Sequence, residues 1–473
     1  MKKEINETKE KSFSSINTKS FISVVAVLLA IVAVSGILTY FIPQGSFLRN
    51  ENGEIISGTY TKGGLKGIEF WRVVTAPFRV FVADGGITII MICVFLLIMS
   101  GVFNLLDKTN GFKVIMNKLV KKLGNKTKRV IMFGILFFML FGSLFGLFEE
   151  MITLLPFIVM LMLCLGYDTM TGLGVCLLAT CFGFSAAITN PFSIGIASSF
   201  ADISSLSGVW LRIIFFVLVY GLVCWFLLGY TSKISNNPQK SLSYNEDIKK
   251  KSSIDNSIVL DSEKDNKTFK VYIIFFLVEF VILILSALIR PISGYAVPIL
   301  AASFLIGGIV SGLIVSNSKK DVFKYMLQGA VSMLPAVVLI ALASSVNLIL
   351  QESGVLDTIM NAVIIFLEGK NKFVCILLIY AFILVLQLFI GSASAKIFLI
   401  MPILLPICSV IGISPTLLIF TYCMADGFSD VFLPTNPVLL ISLSMSNVSY
   451  GKWVKWTWKI QLAVLVLSLA VLF

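Results

Sequence analysis

Apolar runs of about 20 residues alternate with short polar connectors along this chain. That is the pattern of α-helices that cross a bilayer rather than pack in water. The first run, Phe21–Ile42, is too long for the core of a cleavable leader and no A-x-A-like site follows it, so it is expected to remain as a span. A second run lies at Gly85–Leu106. The run Val130–Leu165 is 36 residues long but is interrupted at Gly142–Glu150. A Gly-rich interruption carrying two carboxylates predicts a re-entrant hairpin, because irregular backbone at membrane depth needs protein or a cavity around it. A span from Thr171, broken at Thr189-Asn190-Pro191, and another at Val209–Gly229 complete the first half. Thr231–Lys270, full of Ser, Asn, Lys and Asp, predicts a flexible linker. Spans at Val271–Ile289, Tyr295–Val315 and Ala330–Leu350 follow. A hairpin at Phe373–Ile411 broken at Gly391–Lys396, a span Thr416–Leu433 broken at Pro434–Pro437, and a last span from Trp458 end the chain.

The second half repeats the first. Pro156, Gly166 and Thr189-Asn190-Pro191 recur as Pro402, Gly412 and Thr435-Asn436-Pro437, since 402−156, 412−166 and 436−190 all equal 246. Upstream, Gly85 pairs with Gly329 and Ile115-Met116-Asn117 with Ile359-Met360-Asn361, at an offset of 244. Duplicated membrane segments interrupted by Pro and Gly are the sequence pointer to a secondary transporter and to its binding site.

Charge gives the orientation. The formal +12 sits in connectors, where Lys and Arg mark the cytoplasmic side, so a nucleic-acid partner is not expected. Residues 113–129 carry Lys113, Lys118, Lys121, Lys122, Lys126, Lys128 and Arg129, whereas their counterpart 357–373 has little net charge. The two copies are therefore expected to be inverted, with the N-terminus and the 231–270 linker cytoplasmic in a multi-pass protein of a prokaryotic cell membrane. Ile115, Leu119, Val120 and Leu123 share a face at helical spacing, which predicts an interfacial helix. Scaffold sequence is expected at 1–129 and 271–372, and transport sequence at 130–230 and 373–473. The eight cysteines have no metal-ligand spacing and the chain has no histidine, which removes His triads, His metal sites and His proton relays together. No cofactor is expected.

A charge at the bilayer centre costs about 2.5–3.5 kcal/mol on insertion scales and marks a functional candidate. Glu149 and Glu150 lie at the first hairpin break, Lys396 at the second, and Asp426 and Asp430 before the second corner. Glu279 stands alone in an apolar span, where a scaffold contact explains it as well as a functional role. Gly142, Ser143 and Gly146 in the first break, and Gly391, Ser392 and Ser394 in the second, let a ligand approach backbone N–H groups at half-helix starts. Thr189, Asn190, Thr435 and Asn436 supply hydroxyls, amides and freed carbonyls, which suit Na⁺ or a proton as coupling ion.

Four stretches carry a family resemblance: Gly142–Glu150 followed by Pro156; Leu165-Gly166-Tyr167-Asp168; Asn190-Pro191-Phe192 followed by Gly195-Ile196-Ala197; and Gly391–Lys396 with Ala425-Asp426-Gly427-Phe428. They resemble the YfcC-like branch of the four-carbon dicarboxylate anaerobic carriers, within the ion transporter superfamily. The resemblance implies an all-α inverted-repeat elevator with two re-entrant hairpins and two broken helices, usually a homodimer through its scaffold domain. It implies a substrate site at the hairpin tips and broken helices. Four carboxylates and one lysine near the breaks lean towards an amino-acid-like or other small carboxylate-bearing solute, moved by an ion-coupled transporter or exchanger. A dicarboxylate carrier and an arginine/ornithine-type exchanger are the alternatives on the same fold. A membrane-embedded aspartyl enzyme is disfavoured, because Asp426 and Asp430 share one helix face and no GxGD motif is present. A channel is the remaining class.

Overall fold

Apolar sequence without water to bond must close its backbone hydrogen bonds internally, and helices do so within one segment. The computed structural model describes residues 18–49, 56, 58–83, 85–111, 113–115, 118, 126–148, 150–255, 263–288, 295–316, 318–367 and 369–473. The chain runs through α1 (Thr18–Phe41), a short ribbon of β1 (Gly45–Ser46) and β2 (Thr61–Lys62), α2 (Phe70–Arg79), α3 (Gly86–Lys108) and α4 (Thr127–Leu140). Then come α5 (Leu155–Cys164), α6 (Thr169–Leu173), α7 (Ala179–Ala186), α8 (Ile196–Phe200), α9 (Val209–Asn236) and α10 (Tyr244–Asp255). The second half holds α11 (Glu263–Leu288), α12 (Ala296–Val315), α13 (Lys319–Ser332), α14 (Leu334–Glu352), α15 (Val355–Leu367), α16 (Lys372–Gln387), α17 (Ala393–Ile411), α18 (Pro415–Ser429), α19 (Pro437–Ser446) and α20 (Tyr450–Leu472). Among the described residues, eight helical stretches are long and apolar enough to cross a membrane.

The ribbon is a small departure from the all-α expectation. Gly45 pairs with Lys62 and Ser46 with Thr61, and the ribbon is pinned to α15 by Thr358 Oγ1 donating to Pro43 O at 2.7 Å and by Arg49 to Asp357 at 3.1 Å.

Small residues set the packing. Helix α3 lies on α12 and α13, and Ser100 Oγ donates to Gly329 O at 2.7 Å where the two backbones nearly touch. Helix α7 packs on α4 on one side and α18 on the other. A Cβ at Gly183 would sit 2.2 Å from Met139 O, and one at Gly427 would sit 2.3 Å from Ser185 N. Two pairs of positions 246 apart share local geometry: Gly166 and Gly412 close their helices at φ +89° and +79°, and Asp168 and Ser414 cap the next helix by accepting from Thr171 N and Leu417 N.

The flexible linker expected over 231–270 is corrected for most of its length. Helix α9 continues to Asn236, a 3₁₀ turn spans Pro238–Lys240, and α10 follows. Asp247 is buried and accepts from Thr169 N at 2.8 Å, from Ser243 Oγ at 2.7 Å and from the Thr169 hydroxyl. Lys250 donates to Ser446 O at 3.0 Å, and Lys452 pairs with Glu246 at 2.7 Å. This segment is therefore a folded cap on the ends of α6, α19 and α20; residues 256–262 lie outside the described residues. Of the expected interfacial helix, Leu119, Val120 and Leu123 also lie outside them, while Ile115 is buried in the core rather than turned to lipid.

Gly427→Ala is expected to lower the thermal unfolding midpoint by an overpacking penalty of about 1–3 kcal/mol. The matched change Gly221→Ala, at an exposed helix position with nothing within 4 Å of the new methyl, leaves the midpoint in place; differential scanning fluorimetry of the purified protein reads both. Asp247→Ala removes the acceptor that holds α10, and limited proteolysis should then cut within residues 238–255 several-fold faster than in the parent.

Candidate functional site at the helix breaks

The first break begins where α4 widens into a π turn, Phe141–Phe145, and ends at Gly146 with φ +67°. Glycine is required there twice over: the left-handed backbone disfavours a side chain, and a Cβ would lie 2.2 Å from Asn190 Oδ1. Asn190 opens the first corner. Pro191 lacks an N–H and cannot continue the helix, and Asn190 Oδ1 caps the next turn by accepting from Phe192 N at 2.9 Å and Ser193 N at 3.3 Å. Ser143 clasps the corner to the break, its Oγ accepting from Ile188 N at 3.0 Å and its carbonyl from Thr189 N at 3.2 Å. Thr189 Oγ1 donates back to Leu144 O at 2.9 Å.

The second corner is built alike but with a carboxylate inside it. Asn436 Oδ1 accepts from Val438 N at 2.9 Å, and its Nδ2 donates to Asp430 Oδ1 at 2.9 Å. Gln387, the last residue of α16, donates to the same oxygen at 2.6 Å, and Thr435 Oγ1 donates to Gln387 O at 3.0 Å. Two amides and a hydroxyl thus tie the second corner to the helix that leads into the second break.

The two systems meet. Ser394 Oγ, in the first turn of α17, donates to Phe192 O at 3.2 Å. A Cβ on Gly391 would lie 3.5 Å from Thr435 O. Ser185 Oγ donates to Met424 O at 3.0 Å, and Tyr422 OH to Ala393 O at 2.7 Å. At the centre, Lys396 forms an ion pair with Asp426, the lysine 0% and the aspartate 1% exposed. Gly391 and Ser392 are exposed one turn earlier, so the second tip is the wet end of a site whose charges are dry. Among the described residues, the buried atoms Asp426 Oδ2, Gln387 Oε1 and Asn190 Nδ2 have no hydrogen-bond partner. Such atoms cost free energy unless something else bonds them.

Of the sequence candidates, Ser143, Gly146, Thr189 and Asn190 form the first half of this cluster. Gly391, Ser392, Ser394, Lys396, Asp426, Asp430, Thr435 and Asn436 form the second. Glu149 lies outside the described residues, and Glu150 is placed only as backbone at the start of the 3₁₀ turn Glu150–Leu154. Glu279 is elsewhere, buried between α11 and α12 and accepting from Ser303 Oγ at 2.6 Å. Sequence reasoning passed over Gln387 and Tyr422, single polar groups in apolar runs. It also passed over Arg212, which is buried and donates to Ala187 O at 3.3 Å. Ala187 ends the first half-helix in the left-handed region at φ +42°, a strained state for a residue with a side chain.

Residues 21–473 match the family model described as DcuC, C4-dicarboxylate anaerobic carrier. Among curated proteins, the chain is 29% identical over 378 residues to an uncharacterized protein of Haemophilus influenzae, covering 79% of this chain and 72% of that one. It is 26% identical over 388 residues to the "putative basic amino acid antiporter YfcC" of Escherichia coli, covering 78% and 74%. The solved YdaH transporter of Alcanivorax borkumensis aligns over 96% of each chain at 17% identity with a TM-score of 0.41.

Removing one partner of a buried ion pair strands the other charge, at about 3–5 kcal/mol. Lys396→Met and Asp426→Asn should therefore each lower the unfolding midpoint sharply, and the double variant Lys396→Met/Asp426→Leu should recover most of the loss. A double variant no more stable than the worse single one would mean that the two charges are not each other's main partners.

Proposed function

Because the chain belongs to the C4-dicarboxylate anaerobic carrier family, we propose that this multi-pass membrane transporter exchanges a small amino-acid-like solute in an ion-coupled cycle. The observation that carries the reading is the dehydrated Lys396–Asp426 pair. With the site closed and empty of solute, the two charges neutralise each other. A solute with both a carboxylate and an amino group can replace each by the other's chemistry: its carboxylate takes Lys396 and its amino group takes Asp426. The charge balance of the dry site is then the same loaded or empty, which lowers the barrier to moving it through lipid. Ser394, Asn190 and the N–H groups at the start of α17 hold the carboxylate end. Asp430, with Thr435 and Asn436, takes Na⁺ or a proton. The two halves are inverted about the site and move as an elevator against a dimeric scaffold, with the N-terminus and α10 on the cytoplasmic side.

A dicarboxylate is the second reading, favoured by the description of the family. Two carboxylates would meet only one free cation at the pair and would leave Asp426 facing like charge, so this reading needs Asp426 protonated.

Counterflow in proteoliposomes separates the readings. Vesicles preloaded with unlabelled arginine, ornithine, aspartate or succinate are given the same labelled solute outside, with and without Na⁺ and at two pH values. Trans-stimulated uptake of an amino acid, lowered at least tenfold by Lys396→Ala in protein that still elutes as a folded species, is the expected result. Exchange of succinate alone would replace this reading with the dicarboxylate one, and uptake without trans-stimulation would make the protein a channel.

A further inference from the structure

Arg212 sits four residues into α9 and is 2% exposed. Among the described residues it has no carboxylate within ion-pair distance. Its guanidinium donates to three carbonyls: Ala187 O at 3.3 Å, Ser205 O at 2.6 Å and Ser207 O at 3.0 Å. Carbonyl dipoles orient a guanidinium, but they leave a whole positive charge in a poorly solvated place, where an unpaired ion costs several kcal/mol.

Beside it opens a pocket of about 280 Å³, roughly the share of nine waters in the liquid. The pocket lies between the second half of the first broken helix and the first turns of α18. Ser198, Ser207 and Thr416 bring hydroxyls to its wall, Ile194, Ile419 and Phe420 make it largely apolar, and among the described residues no carboxylate lines it. Asp202, on the neighbouring loop, is exposed and is not part of the wall. Phe420 is six residues before Asp426, about 9 Å along the helix, so this pocket is a separate place from the Lys396–Asp426 pair.

We propose that the Arg212 pocket is a second binding site, for a single oxyanion carried on an apolar body. One unpaired cation matches one negative group, which a planar guanidinium can hold in two-pronged fashion. The hydroxyls supply further donors, and the apolar wall accepts an aliphatic stem. A short aliphatic monocarboxylate and the headgroup of an anionic lipid share this chemistry. The assignment does not rest on the transported solute or on Lys396.

The test uses the full-length protein in nanodiscs. Equilibrium dialysis of labelled valerate is run in phosphatidylcholine discs, and native mass spectrometry reads retention of phosphatidylglycerol from mixed discs. Saturable valerate binding, weakened at least tenfold by Arg212→Gln and by Thr416→Phe but retained in the double variant Lys396→Met/Asp426→Leu, whose stability is largely restored, is expected for a soluble ligand. Selective phosphatidylglycerol retention that displaces valerate, and is lost in the same two variants, assigns the site to lipid. Arg212→Gln also strips three carbonyls of their donor, so Thr416→Phe, which fills the pocket and leaves the guanidinium in place, is the deciding variant. Neither probe binding, binding untouched by Thr416→Phe, or valerate binding lost only in Lys396→Met/Asp426→Leu would overturn the proposal.

Discussion

A helix cut inside a membrane must find new partners for every backbone group the cut sets free, and it must find them in protein. That demand organises the centre of this molecule. Asn190 and Asn436 cap the half-helices that follow their prolines, and Ser143 and Gln387 hold the preceding segments against them. Gly146 permits the approach that brings the first break under Asn190. The polar residues of the four breaks are therefore first a solution to a hydrogen-bonding problem. Some atoms are left over from that solution, such as Asn190 Nδ2, which has no partner among the described residues.

Charge follows the same rule. Two ionised groups enclosed by apolar walls are tolerable because each satisfies the other, and Lys396 and Asp426 are drawn from segments that only the fold brings together. Asp430 is handled differently, by neutral amides from Gln387 and Asn436. Two aspartates one helical turn apart thus have different named partners, Lys396 for Asp426 and the Gln387 and Asn436 amides for Asp430.

Much of this was legible in the sequence because prolines, glycines and charges inside apolar runs are conspicuous. The repeat spacing located both corners, and the lone lysine and aspartates marked the pair. What escaped did so for physical reasons. Gln387 and Tyr422 are uncharged, so hydropathy barely registers them, although each bonds a critical carbonyl or carboxylate. Arg212 resembles a boundary residue near a span end, and only its burial shows otherwise. Helix α10 carries no apolar stripe. It docks through Asp247, Lys250 and Glu246 to backbone and side-chain partners, so a periodicity argument had nothing to detect and composition read it as loose chain.

The crossing of α7 and α18 has a mechanical consequence. With Ser185 Oγ donating to Met424 O and no room for even a methyl on Gly427, the two interrupted segments touch almost backbone to backbone at this crossing. Surfaces joined in that way cannot glide past each other without first separating. Whatever displacement the transporter undergoes, these two rods must be carried as a single piece, and the give in the machine has to be sought at its perimeter.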